Sequence, residues 1–192
     1  MFQVRFHGRG GQGVVTAAEL LSVAAFLDGR HAQAFPSFGS ERTGAPVVAF
    51  CRISDSTIRT RAPIDAPDAV VVGDVTLINR VDLLAGLSPE AYLLINSSRG
   101  IAEVNMDEVP RRALTMPASE LARTHLGRPL PSAALLGGLA ALTGEVSLDA
   151  VESAVRQRFS GTVAEGNAAA AGAGYELVAT LVREVGFGAV TG

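Results

Sequence analysis

The sequence has no lysine; all sixteen basic residues are arginine. That absence excludes a Schiff-base lysine and the phosphate-binding lysine of a Walker-type loop. Cysteine is nearly absent too. Cys51 stands alone, so the chain cannot close an internal disulfide. An iron–sulfur cluster needs about four ligands, more than this chain can offer by itself. His7, His31 and His125 are scattered along the chain, and no metal site is expected from them. No apolar run reaches the roughly 18 residues of a membrane span, because Glu19 and Asp28 break the longest ones. No basic segment followed by a signal-like apolar core is seen at the amino terminus, so a cytoplasmic location is the expectation. The net charge of −3 argues against a nucleic-acid partner held by phosphate neutralisation.

What is present describes one globular domain, residues 1–192, of which 48% are hydrophobic. Its most informative stretch lies almost at the start. A short alternating run (Phe2, Val4, Phe6) leads into Gly8-Arg9-Gly10-Gly11-Gln12-Gly13, and an apolar helical run from Thr16 to Leu27 follows. Gly8, Gly10 and Gly13 fall on G-x-G-x-x-G at a strand-to-helix junction, the setting in which that pattern has a mechanism. Glycine lets the backbone come close to a ligand, and the first amides of the helix suit a phosphate or carboxylate. Arg9 adds a full charge at the tip. The same glycines also serve a plain tight turn that lets helix and sheet pack closely, and the pattern alone does not separate the two.

Further along, His31–Phe35 reads as a second strand, followed by a loop, Phe35 to Pro46, rich in glycine, proline and aromatics. A loop of that length and composition inside a compact domain is usually functional. Val47–Ile53 is the next strand, turned back through Ser54-Asp55-Ser56 into Ile58–Arg61. Ala69–Val72 and Tyr92–Asn96 are unbroken apolar runs that suit parallel strands covered on both faces. A short helix (Leu77, Val81, Leu84) connects them, and Arg112–Met116 is a last short strand. From Ala118 onward only helices are expected, one of them capped by Ser147 and the last running from about Val163 to Val185. The pattern predicts an α/β fold: a Rossmann-like open, mostly parallel sheet with helices on both faces and a helical carboxyl-terminal third. Gly8–Gly13, Gly73–Asp74 and Asn96–Gly100 would then share one sheet edge with the Phe35–Pro46 loop.

A nicotinamide-dinucleotide site needs an acid at the end of the second strand to hold the ribose. Here that strand ends in Ala34-Phe35-Pro36, which speaks against a free-standing nucleotide-binding reductase.

Gly8–Gly13, then Phe38-Gly39-Ser40-Glu41-Arg42-Thr43-Gly44-Ala45-Pro46-Val47, resembles the gamma subunit of 2-oxoacid:ferredoxin oxidoreductases. Leu135 to Gly144 and Gly166-Asn167 through Gly174-Tyr175 are similar to that family's later blocks, while Pro131-Ser132-Ala133-Ala134 departs from it. The resemblance implies a subunit that is not catalytic alone, in an enzyme converting a 2-oxoacid and coenzyme A to acyl-CoA and carbon dioxide. It implies thiamine diphosphate with Mg between alpha and beta subunits, and iron–sulfur clusters on beta or a delta-type chain that pass electrons to ferredoxin or another acceptor. It further implies that Gly8, Arg9, Gly10, Gly11, Gln12 and Gly13 form an anion-binding turn receiving coenzyme A. Phe35, Phe38, Glu41 and Arg42 would face a partner subunit, with ligand contact or plain surface as alternatives for Glu41 and Arg42. A purely structural bracing role stays open beside the coenzyme A role.

Overall fold

A computed structural model describes residues 1–37, 44–60, 62–106 and 108–186. Among them, six strands form one sheet: β1 (Phe2–Arg9), β2 (His31–Pro36), β3 (Pro46–Ser54), β4 (Ala69–Val72), β5 (Tyr92–Asn96) and β6 (Arg112–Met116). Their spatial order is β2-β3-β1-β4-β5-β6. β1, β4, β5 and β6 run parallel, whereas β3 is antiparallel to both β1 and β2. The β2–β3 hairpin therefore places β3 beside β1, where a dinucleotide fold would seat its second parallel strand. The position from which a ribose-binding acid would reach is thus occupied by a reversed strand.

Five helices follow the pattern read from the sequence: α1 (Val14–Leu27), α2 (Ala118–Leu126), α3 (Ser132–Thr143), α4 (Leu148–Arg158) and α5 (Gly161–Val185). They pack in one core with Val4, Phe6, Cys51, Val71, Leu94 and Met116 from a single face of the sheet. Alternate residues of the same strands (Val70, Val72, Leu93, Ile95) point the other way. That second face is closed by Leu77, Leu83 and Val104, on connections that carry the one-turn 3₁₀ helices Val75–Leu77 and Ile101–Glu103. The helix expected through Leu77, Val81 and Leu84 is therefore no more than the first of these turns. So short an apolar segment cannot repay helix nucleation, and Asp74 caps it at once by accepting the Thr76 amide.

Residues 57–60 form no strand after β3. The buried Arg52 side chain holds that region instead, donating to the carbonyls of Ala62 and Pro63. Prolines 63 and 67 also lack the amide a ladder would need. Ser147 caps α4 as expected, its hydroxyl accepting the Ala150 amide at 3.1 Å. Asp28 at the end of α1 in turn accepts the Ser147 amide and hydroxyl.

Candidate functional site

Parallel β1, β4 and β5 deliver their carboxyl ends to one edge, and hydrogen bonds join those ends. The Gly73 amide donates to the His7 carbonyl at 2.7 Å. Asn96 donates through Nδ2 to the Gly73 carbonyl and to Ser119 Oγ, and accepts the Ser119 amide. The expected juxtaposition of the three loops is therefore real, and α2 is tied into it through Ser119.

The glycine turn has two sides. On one, the strand β1 continues to pair: the Gly10 amide donates to the Ala45 carbonyl and the Gly44 amide to the Gly10 carbonyl. The Gln12 amide bonds back to the Arg9 carbonyl at 3.0 Å. Gly8 has no room for a side chain, since an added Cβ would lie 2.5 Å from Val14 Cγ2. On the other side, Gly11 (φ 93°) and Gly13 (φ 78°) adopt left-handed backbone that favours glycine. Gly13 is the N-cap of α1 and offers no side-chain acceptor. Among the described residues, the Gly11 and Gly13 amides find no acceptor, and the first-turn amides of residues 14–16 have none within the helix.

The turn and the start of α1 border a cleft of about 370 Å³, lined by Gly11, Gln12, Gly13, Thr16, Arg128, Ser132 and Asn167. Leu126, Leu130, Phe159 and Val163 supply apolar walls. The volume lies in the range of small-ligand pockets, and the lining has their usual makeup of apolar walls with a few convergent polar groups. Asn167 is 6% exposed; its Nδ2 donates to the Val163 carbonyl one helical turn back. Arg128 is exposed and makes no ion pair among the described residues.

Arg9 is not among the residues of this cleft. Its guanidinium turns toward β4, pairing with Asp74 (Nε to Oδ2, 3.0 Å), Thr76 Oγ1 (2.7 Å) and the Gly44 carbonyl (2.9 Å). The side chain expected to meet an anion thus has its donors engaged within the molecule. Partial burial pushes the Asp74 carboxyl up, but the hydrogen bonds from Thr76 and Gln12 and the charge of Arg9 outweigh it, holding the group below its usual range.

Phe35 lies in β2, its ring stacked on Phe50 at 5.1 Å with the Arg52 guanidinium 5.0 Å from its centroid. It is half-buried, so part of this aromatic face is open. Phe38, Glu41 and Arg42 lie outside the described residues. No group of three or more His, Cys, Asp or Glu side chains is placed to hold a metal among the described residues. Cys51 is buried with its thiol pushed up by desolvation. Neither a metal–diphosphate site nor a cluster fits the described part of this chain.

Sequence reasoning reaches Gly11–Gly13 but not their companions. Asn167 sits in a later similar block and Ser132 in the segment that departs from the family, yet no local spacing announces that α3 and α5 bring them to α1. Phe159 and Arg128 carry no motif at all.

The pyruvate ferredoxin/flavodoxin oxidoreductase family description matches residues 3–177. The pyruvate/ketoisovalerate oxidoreductases common subunit gamma of Pyrococcus furiosus is 46% identical over 178 residues, covering 92% of this chain and 96% of that one. The pyruvate synthase subunit PorC of Methanothermobacter marburgensis is 44% identical over 176 residues, covering 92% and 97%. The crystal structure of pyruvate oxidoreductase subunit PORC from Thermotoga maritima superposes with a TM-score of 0.78 at 35% identity, covering 91% of this chain and 95% of that one. With residues 3–177 matched and nearly the whole length of each relative covered, the chain belongs to the pyruvate ferredoxin/flavodoxin oxidoreductase family, as a gamma-type subunit.

Proposed function

We propose that this subunit receives coenzyme A for a multisubunit 2-oxoacid:ferredoxin oxidoreductase, in the cleft between the glycine turn and helices α2, α3 and α5. The assembled enzyme takes a 2-oxoacid anion and coenzyme A to acyl-CoA, carbon dioxide, one proton and two electrons. Thiamine diphosphate with Mg and the iron–sulfur clusters belong to alpha, beta and delta-type partner chains, which also choose the oxoacid and pass the electrons to ferredoxin or another acceptor. The described residues of this chain fit neither group, so its share of the reaction is binding and assembly.

The observation that carries this reading is the run of free amides at Gly11, Gly13 and the first turn of α1, opening on a cleft with apolar walls and one arginine in its lining. Coenzyme A matches that contrast: a phosphate-bearing nucleotide end suits helix amides and an arginine, while the adenine ring and pantetheine arm suit Phe159, Leu126 and Leu130. The half-open aromatic face of Phe35 and Phe50, beside the loop that carries Phe38, Glu41 and Arg42, is the surface offered to a partner subunit.

Replacing Arg128 tests the assignment. A charge-assisted hydrogen bond to phosphate contributes roughly 1.5–3 kcal/mol, so Arg128→Ala in the assembled enzyme should raise KM for coenzyme A about ten- to a hundredfold. The KM for the oxoacid should not move. Unchanged coenzyme A kinetics in an intact complex would leave the cleft without this ligand.

A further inference from the structure

The glycine turn is fastened to the rest of the sheet through one carboxylate. Asp74 Oδ2 accepts from Arg9 Nε at 3.0 Å and from Gln12 Nε2 at 2.9 Å. Its Oδ1 accepts the Thr76 amide at 2.9 Å and the Thr76 hydroxyl at 2.6 Å. The other end of the Gln12 amide accepts the Arg9 backbone N–H at 2.7 Å, closing a ring across the turn. The Arg9 and Asp74 side chains are only 24% and 15% exposed, so solvent screens the pair weakly.

This ring decides which amides face inward. With Gln12 pinned between Arg9 and Asp74, the amides of Gly10 and Gln12 are consumed by Ala45 and Arg9, and those of Gly11, Gly13 and the first turn of α1 are left for the cleft. Packing does not hold Gly11 itself: no atom beyond its chain neighbours lies within 4 Å of where a Gly11 Cβ would stand. The positive-φ glycines 11 and 13, either side of Gln12, would otherwise sample many backbone states.

We propose that Asp74 is a positioning residue for coenzyme A, and that Arg9 serves the same ligand only through Asp74, without touching it. The carboxylate presets the glycine turn so that its amides already point into the cleft before the ligand arrives. The proposal rests on the assignment of coenzyme A to that cleft, and Arg128 separates the two.

The test is a double-mutant cycle in the assembled enzyme, with coenzyme A kinetics and amide hydrogen exchange as readouts. Asp74→Ala should raise KM for coenzyme A about tenfold, with kcat held within about twofold. Arg9→Ala should do the same, and the double variant should be no worse than either single one. Exchange at residues 11–16 should quicken in all three without loss of subunit stoichiometry. Asp74→Asn, which keeps one acceptor oxygen, should restore part of the affinity. Should Asp74→Ala fail to assemble, the milder Thr76→Val, at an exposed position, removes one donor to Asp74 and one acceptor of Arg9 and should give a smaller rise in the same direction. Additive effects of the two alanines would mean that Arg9 meets the ligand itself and would overturn the proposal. So would an unchanged KM in Asp74→Ala when Arg128→Ala raises it. If neither position affects coenzyme A, the cleft assignment and the positioning role fall together.

Discussion

At the scale of single residues, the second face of β1 holds an unusual pair. Arg5 and His7 are 7% and 6% exposed, and Arg5 Nε and His7 Nε2 find no hydrogen-bond partner among the described residues. Arg5 is held by the carbonyls of Leu83 and Ala85 through Nη2. Burial, and then the charge of Arg5, lower the His7 pKa to about 4. An unfolded histidine takes up a proton near pH 6.5, whereas the folded one stays neutral until about pH 4. The unfolded state therefore binds more protons between those values, and stability is greatest above pH 6.5 and lost as the pH falls toward 4. The upper bound on the loss is roughly 3 kcal/mol. Urea unfolding at pH 4.5 and pH 7 should record it, and His7→Leu should flatten the difference. An equal pH dependence in that variant would place the effect on other groups. Asp74 contributes in the same direction but lower on the scale: its depressed value gives stability that is present above its unfolded pKa and lost as the pH falls below it.

At the scale of elements, the closest packing is between α3 and α5. A Cβ on Gly137 would overlap the Ala171 carbonyl, and one on Gly174 would overlap the Ala134 carbonyl. The two helices meet backbone to backbone, and neither can yield as a flexible side chain would. Gly137→Ala should therefore cost about 3 kcal/mol or more, the upper end of overpacking. At Gly172, on the same helix α5, the nearest atom to an added Cβ is the end of the Glu152 side chain, 3.5 Å away. Gly172→Ala should instead stabilise by about 0.5–1 kcal/mol through helix propensity. Thermal melts of the two variants check the contrast, since about 1 kcal/mol shifts the midpoint by roughly 2–4 °C in a chain of this size.

The small residues of α5 are legible in the sequence as a sign of close approach, but its partner is not, because nothing local pairs Gly174 with Ala134. Strands are read better than their directions. The apolar runs at 69–72 and 92–96 announce buried parallel strands, and the structure has them, as it has the short strand expected at 112–116. The insertion of β3 between β1 and β2 is a long-range pairing, and no periodicity records that. The expected helix at Leu77 fails for a related reason: three apolar residues at helical spacing also suit a turn that drops Leu77 and Leu83 onto the sheet.

At the scale of the whole molecule, the division of labour follows from what the chain lacks and what its fold brings together. The glycine turn is legible from the first dozen residues. The cleft is not, because the turn and the start of α1 meet α2, α3 and α5, whose contributing residues lie more than a hundred positions downstream. Arg9 illustrates the limit: the sequence marks it as a charge beside free amides, and only the fold shows that Asp74, in the connection after β4, has claimed it. The central claim concerns the opposite side of that turn. Amide hydrogen exchange on the assembled enzyme, with and without coenzyme A, addresses it most directly. The account predicts slowed exchange at residues 11–16 and 126–132 when coenzyme A is added, and no comparable change at the β2–β3 face. Protection confined to other subunits, with residues 11–16 exchanging at the same rate in both states, would contradict it.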